Sequence, residues 1–306
     1  MRRLIALVAL LTVVPGGVAF GAELDELLSE SQAASYSAEQ IISCSTPDGE
    51  RDALVRIEQV GDELRVTSSV SDDVEVISGS GEWTLTRGEE QVVHANVDSG
   101  EATAEDLYTV EELGAVEYLG RASMAYLLIR EGEPRAELVI DEETGAVVEA
   151  VTLTIGNEVY CERRFVSLDT DPPEITEPTA AAGETPPTLI ETSTLPEEVG
   201  GFELLDQYVD EDGVRFAYYS DGFFSFAVFE TPTAVALPGA EVVEFASGPY
   251  SRIFTAGQVT YVWETLDYGA ALVGDLPPDM HEAVLAEMPH PQDRGLFRRW
   301  WRALFG

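Results

Sequence analysis

Along most of the chain hydrophobic residues alternate with polar ones, which predicts β-strands that each bury one face. In the first half, the alternating segments are 38–46, 53–59, 63–69, 74–78, 82–86, 91–95, 125–130, 135–141, 147–155 and 158–166. Gly- or Asp-containing turns separate them, and the sequences GEP at 132–134 and DEETG at 141–145 are typical of hairpins. The pattern predicts an antiparallel sheet.

Helical spacing occurs in three places. Leu24, Leu27 and Leu28 predict an opening helix that ends near Ala34, and a second helix is predicted around 104–113. After a further series of strands at 201–209, 214–220, 223–229, 241–246, 251–256, 258–264 and 268–274, residues 277–288 predict a helix that starts with Pro-Pro. The expected fold class is α+β, with an antiparallel sheet domain that carries helices and a smaller, mainly antiparallel domain that ends in a helix.

Breaks in composition divide the chain into segments. Residues 1–21 are typical of a secretory signal, because two arginines precede an apolar run and Ala19-Phe20-Gly21 forms a cleavage site. That run is short of the roughly 20 residues of a membrane span, which weakens the alternative of an uncleaved anchor. A Pro-, Thr- and Glu-rich stretch at 169–194 predicts a linker between domains at 22–168 and 195–290, and a tail follows at 291–306. The chain is expected to be exported, to the periplasm or the outer face of the cytoplasmic membrane.

Charge and composition exclude several functions. The chain has 57 acidic residues and only 17 basic ones, all arginine, so its formal charge is −40. This charge excludes nucleic-acid binding. Without lysine there is no P-loop lysine and no Schiff base. The three histidines are scattered; His281-Glu282 begins an H-E-x-x-H motif, but Leu285 replaces its second histidine, so His281 is expected to be a solvated helix residue. No enzyme activity, metal or cofactor is predicted.

Two cysteines remain in the exported chain, Cys44 and Cys161, and each lies in a predicted strand. An even count outside the cytoplasm favours one disulfide between them, which would join the first strand of the first domain to its last. Two buried free thiols are the alternative.

Three motifs in the second domain resemble those of the RseB/MucB family. The segment YYSDGFFSFAV at 218–228 is similar to the family's strand-turn-strand signature, LPEEVGGF at 195–202 to its domain entry, and ALVGDLPPD at 271–279 to the segment before its last helix. The order and spacing agree. The first domain resembles the family's LolA-like domain in pattern more than in motif.

This resemblance implies an exported, non-enzymatic regulator that binds a membrane-spanning anti-sigma factor of an envelope stress system. It also implies a half-open, LolA-like sheet whose groove takes a lipid-like ligand. Partner contacts are expected at Tyr219, Asp221, Gly222 and Phe224, and groove-lining side chains at Trp83, Leu107, Tyr118 and Tyr126. Core packing is the alternative for both sets. A LolA-type carrier of lipid or lipoprotein and an inert envelope module are the alternative functions.

The tail differs from the acidic body because it is basic and aromatic. On a helical wheel its apolar and aromatic side chains separate from its arginines, which is typical of a helix at an anionic membrane surface. The residues expected to make that contact are Phe297, Arg298, Arg299, Trp300, Trp301 and Arg302. Docking on the protein's own acidic surface and docking on a partner remain open.

Overall fold

The computed structural model describes residues 34–61, 63–68, 74–79, 82–87, 90–94, 107–171, 188–189, 195–209, 213–232, 239–255 and 258–292. The signal segment, the opening helix, most of the predicted linker and the tail from 293 onward lie outside these residues. No helix in the described part is long and apolar enough to cross a membrane.

The first domain is built on one antiparallel sheet of eleven strands. In chain order these are β1 Ser35–Thr46, β2 Gly49–Val60, β3 Glu63–Ser68, β4 Val74–Gly79, β5 Glu82–Arg87, β6 Glu90–His94, β7 Tyr108–Tyr118, β8 Arg121–Arg130, β9 Glu133–Asp141, β10 Val147–Leu153 and β11 Val159–Asp169. Their order in the sheet is β6-β5-β4-β3-β2-β1-β11-β10-β9-β8-β7. The first and last strands therefore meet in the middle, where they join two hairpin meanders.

The β1–β11 pair carries the covalent link of the domain. Cys44 lies directly opposite Cys161 in the antiparallel register, and the two form a disulfide with a Cα–Cα distance of 4.1 Å. Both sulfurs belong to a buried cluster that includes Ile42, Val148 and Phe165. The predicted disulfide is confirmed, and it fixes the pairing of strands that are 117 residues apart in sequence.

The prediction of a helix around 104–113 is wrong for the part of this segment that the structure describes. Residues 108–113 belong to β7, which pairs with β8 along its whole length, from Tyr108 opposite Arg130 to Tyr118 opposite Arg121. The β-branched Thr109 and Val110 suit a strand, and the register shifts next to Gly114. Pairing with a neighbouring strand overrides the local helical spacing.

The second domain contains a nine-stranded antiparallel sheet and one described helix. Its strands are β12 Thr188–Leu189, β13 Glu198–Val199, β14 Phe202–Val209, β15 Arg215–Ser220, β16 Ser225–Thr231, β17 Glu241–Phe245, β18 Gly248–Thr255, β19 Gln258–Glu264 and β20 Gly269–Gly274, and α1 spans Pro278–Glu287. The sheet order is β12-β14-β15-β16-β20-β19-β18-β17, and β13 also pairs with β14. Strand β12 lies within the segment predicted as a linker. The predicted α+β class is confirmed.

Aromatic side chains and α1 form the core of the second domain. Phe202, Tyr219, Phe226 and Tyr261 are among its fully buried residues, and α1 adds Val284 and Leu285. His281 is also buried here, so the expectation of a solvated helix residue is wrong. Its Nδ1 lies 2.7 Å from the Tyr261 hydroxyl and its Nε2 lies 2.8 Å from the Leu276 carbonyl oxygen. Nε2–H therefore donates to that carbonyl, while Nδ1 accepts from the hydroxyl.

Candidate functional site: the interdomain interface

A tight turn between β15 and β16 projects from the second domain toward the first. The Asp221 carboxylate folds back over the turn, where its Oδ1 accepts hydrogen bonds from the backbone N–H groups of Phe223 and Phe224 at 3.0 and 2.8 Å. This is the Asx-turn chemistry for which aspartate is selected in such positions. Gly222 follows with φ of 95°, a conformation that favours glycine.

The other oxygen of Asp221 is held by the first domain. The Tyr108 hydroxyl, at the start of β7, donates to Oδ2 at 2.8 Å, and the Arg130 guanidinium, at the end of β8, donates to the same oxygen. Asp221 is only 2% exposed. Burial raises the pKa of Asp221, while Arg130 and the two turn amides act in the opposite direction.

The packing around Arg130 explains why its side chain adopts this position. The guanidinium carbon lies 5.9 Å from the ring centroid of Tyr108 and 5.7 Å from that of Phe202, so the cation is enclosed by aromatic faces from both domains. Gly201 leaves the necessary space, because a Cβ atom there would lie 2.5 Å from a terminal nitrogen of Arg130. Gly201 thus admits an arginine from the other domain.

Two further ion pairs connect the domains. Arg163 on β11 donates to Asp275 at 3.2 Å, and Asp275 also accepts from the backbone N–H of Ser225 at 3.3 Å. Arg135 on β9 pairs with Asp279, in the first turn of α1, at 2.9 Å. We refer to the following seven residues together as the interdomain clasp: Tyr108, Arg130, Arg135, Arg163, Asp221, Asp275 and Asp279.

The clasp has a single polarity, since every arginine comes from the first domain and every aspartate from the second. The arginines are largely enclosed, with exposed side-chain fractions of 10% for Arg130, 3% for Arg135 and 16% for Arg163. Three of the 17 arginines of this acidic chain thus form ion pairs at one contact between domains. Guanidinium groups suit such buried pairs because their several donors can be shared among acceptors and aromatic faces.

The structure brings the four expected partner-binding residues together, but inside the molecule. Tyr219 is fully buried, stacks on Phe226 with a centroid distance of 4.9 Å, and donates to the Pro196 carbonyl at 2.8 Å. Phe224 is 1% exposed, and Gly222 and Asp221 form the turn that meets the first domain. A role for these residues in binding another protein stays a prediction, whereas their contacts within this chain are observed.

The expected lipid-groove residues do not form one described cluster. Leu107 and Phe223 both pack on the small cluster around Tyr108 and Leu128, at the domain interface. Tyr118 packs on the disulfide cluster instead, and its hydroxyl donates to the Phe165 carbonyl at 3.0 Å. Tyr126 is half-buried on β8, and Trp83 belongs to β5, its side chain lying outside the described part. An acyl-binding role for these four residues stays a prediction, as does membrane contact by the tail.

Sequence reasoning missed most of the clasp. Nothing in the local sequence pattern of the three arginines distinguishes them from surface charges; Arg163, for example, is followed directly by the exposed Arg164. Asp275 and Asp279 do lie within the motif at 271–279. The motif therefore contains the aspartates of two ion pairs, but it does not predict the arginines with which they pair. Within the described ranges, no group of three or more His, Cys, Asp and Glu side chains is placed to hold a metal ion.

Comparison with solved structures identifies the fold. The MucA/MucB complex of Pseudomonas aeruginosa matches with a TM-score of 0.54 and 18% identity, over 87% of this chain and 97% of that chain. MucB in complex with MucA(peri) gives the same values, and MucB alone gives 0.53 and 17%, over 88% and 96%. No family model matches the chain, and no curated protein matches it by sequence.

These matches extend over most of both chains, so they include the two sheets together and not one of them alone. The chain is a two-domain α+β protein with the fold of MucB. The resemblance to the RseB/MucB family, which the motifs of the second domain suggested, is confirmed at the level of the fold.

Proposed function

We propose that this protein is an exported, non-enzymatic regulator that binds the extracytoplasmic part of a membrane-spanning anti-sigma factor. The observation that carries the proposal is the match of both domains to MucB in structures where MucB is bound to MucA. The three ordered motifs of the second domain agree with it. In this proposal, binding protects the anti-sigma factor from proteolysis, and a lipid-like signal taken up by the first domain releases it.

The disulfide supports the proposed location. Disulfides persist in exported proteins and are rare in the reducing cytoplasm, and Cys44–Cys161 joins the two central strands of the first sheet. Together with the signal-like segment at 1–21, this favours a site of action outside the cytoplasm. The anti-sigma factor would then be met at the outer face of the cytoplasmic membrane.

Deleting the gene in its own bacterium tests the regulatory role. We expect faster degradation of one single-span anti-sigma factor and higher transcription of the genes that its sigma factor controls. Complementation with the wild-type gene should restore both, and complementation with an unrelated exported protein should not. Unchanged transcription under envelope stress and in its absence would contradict the proposal.

Direct binding can be measured with purified components. The exported chain, with its disulfide intact, is titrated calorimetrically with the extracytoplasmic segment of the anti-sigma factor encoded in the same bacterium. We expect saturable one-to-one binding, and a segment with the same composition in scrambled order serves as the control. Equal heats from the two segments would show that the proposed partner is wrong.

A further inference from the structure

The clasp is polar at its centre and leaves several donors unsatisfied. In the described structure the Nε and one terminal nitrogen of Arg135, and the Nε of Arg163, are buried without a hydrogen-bond acceptor. Burying charged groups is unfavourable, and buried donors that have no acceptor add to that cost. The closed interface is therefore specific in its geometry and less favourable in free energy than its number of ion pairs suggests.

Each domain has a buried core that is made of its own residues and does not depend on the interface. The disulfide cluster consists entirely of first-domain residues, and the large aromatic cluster around Tyr219 and Tyr261 consists entirely of second-domain residues. The only described cluster with members from both domains is the small one around Tyr108 and Leu128, to which the second domain contributes Phe223. Separating the domains would break the clasp and this contact, and no other buried cluster.

The backbone hydrogen bonding leads to the same conclusion. Within the described residues, the strands of the first domain pair only with each other, as do those of the second. No β-ladder crosses the interface, so opening it disrupts no strand pair. Interfaces between domains that are small and polar permit relative motion, in contrast to large apolar ones.

We propose that the interdomain clasp is a reversible catch, which opens and closes while both sheets stay folded. In the closed state the three arginines hold the three aspartates, and the Asp221 turn is covered by β7 and β8. In the open state the turn and the arginine surface of the first domain become accessible to solvent. The catch is a property of this chain alone and does not depend on the proposed partner.

The Arg163–Asp275 pair is the best place for a test, because it is less enclosed than the Arg130–Asp221 pair. Arg163→Asp sets two carboxylates against each other and should open the catch. Asp275→Arg sets two guanidinium groups against each other and should do the same, which keeps the test valid if one variant fails to fold. The double variant Arg163→Asp/Asp275→Arg restores opposite charges with the polarity reversed.

Arg164→Asp is the matched control. Arg164 is the next residue of β11, pairs with Glu162 on the same strand at 3.0 Å, and has a side chain that is 46% exposed. Its substitution changes the net charge by the same amount as Arg163→Asp. It does not alter any contact of the clasp.

Small-angle X-ray scattering of the exported chain, with the disulfide intact, measures the outcome. A compact chain of this length should have a radius of gyration of about 19 Å, and we expect an increase on the order of 5 Å for either single clasp variant. The double variant and Arg164→Asp should scatter as the wild type does, and circular dichroism should show native sheet content in all of them. Folded single variants with wild-type scattering, or a folded double variant that stays expanded, would overturn the proposal.

Discussion

Two buried aspartates, one within the first domain and one between the domains, have almost the same local partners. Asp141 is the last residue of β9 and accepts from the backbone N–H and the hydroxyl of Thr144, both at 2.8 Å, and from Arg121 at 2.7 and 3.0 Å. Asp221 follows β15 and accepts from two turn amides, one tyrosine and Arg130. Both carboxylates thus close a turn and pair with an arginine.

Their electrostatics nevertheless differ in direction. Burial raises the pKa of Asp141, but Arg121 and the Thr144 donors outweigh it, and the pKa lies below its ordinary value. For Asp221, burial is dominant and the pKa is raised. Arg121 reaches toward solvent, with 24% of its side chain exposed, whereas Arg130 is covered by the second domain. The comparison shows that the surroundings of the ion pair, and not its list of donors, decide whether the charged form is favoured.

The largest effect is expected from Asp221→Ala. This substitution leaves Arg130 buried without its carboxylate and removes the acceptor of two turn amides, so the free energy of unfolding should fall by about 4 kcal/mol. Urea unfolding of the exported chain, followed by tyrosine and tryptophan fluorescence, measures the change. Arg164→Asp is again the control at the surface.

Asp221→Asn sharpens this result. Asparagine keeps an acceptor for the turn amides and removes the charge whose burial raises the pKa, so it should cost less than half as much as the alanine variant. Equal costs for the two variants would show that the charge of Asp221 is strongly favoured after all, and the contrast with Asp141 would fail.

A third buried titratable group, His281, differs from both aspartates because its hydrogen-bond partners, the Tyr261 hydroxyl and the Leu276 carbonyl, are uncharged. Burial lowers the pKa of His281 to about 4, so the folded protein binds fewer protons than the unfolded chain between pH 6.5 and 4. Its contribution is therefore complete above pH 6.5 and is lost as the pH falls toward 4. We expect a decrease of about 3 kcal/mol in the free energy of unfolding over that range.

Urea unfolding of His281→Gln at a series of pH values checks this expectation. The variant should lack most of the pH dependence between 6.5 and 4. His290→Gln, which changes an exposed histidine nine residues further along the chain, should retain it. A pH dependence that is the same in both variants would assign the effect to other groups.

Much of the fold could be predicted from the sequence because it depends on local periodicity. The alternation of hydrophobic and polar residues predicted the strands β1 and β11. The even cysteine count in an exported chain predicted the bond between Cys44 and Cys161. The strand β7 was missed, since its sequence has helical spacing and only the long-range pairing with β8 makes it a strand. Non-local pairing of this kind leaves no trace in the periodicity of a single segment.

The clasp could not be predicted for a similar reason. The motif at 218–228 drew attention to Asp221, but no pattern connects it with Arg130 or Tyr108, which lie about a hundred residues earlier in the chain. Arginines that pair across an interface have the same sequence surroundings as arginines that face water. Only the docking of the two sheets distinguishes them.

Within the first domain, Asp141→Asn should lower the free energy of unfolding by about 2 kcal/mol at neutral pH, because the ionised carboxylate accepts four hydrogen bonds. The lowered pKa sets the pH dependence. The stabilisation is complete above the unfolded pKa near 3.9 and is lost as the pH falls through the lower folded value. The difference from wild type should thus be constant from pH 7 to about 5 and shrink in stronger acid.

A matched control for this variant is Glu143→Gln, which removes the exposed outer partner of Arg121 and should leave the stability unchanged. If Asp141→Asn cost no more than Asp221→Asn at pH 7, the two carboxylates would be equivalent, and the difference in their surroundings would have no energetic consequence.

The smallest effect is expected from removing one tyrosine hydroxyl in each region, that of Tyr108 between the domains and that of Tyr118 within the first domain. Burial, followed by the Asp221 charge, raises the pKa of Tyr108, so its hydroxyl stays protonated and donates to the carboxylate at neutral pH. Tyr108→Phe should cost about 1.5 kcal/mol, because hydrogen bonds to charged acceptors are the stronger ones, and Tyr118→Phe about 0.5 kcal/mol, because its acceptor is the neutral carbonyl of Phe165. Urea unfolding of both variants measures this order. A reversed order would show that the hydroxyl of Tyr108 contributes little to holding Asp221, so that Arg130 supplies most of the polar contact between this turn and the first domain.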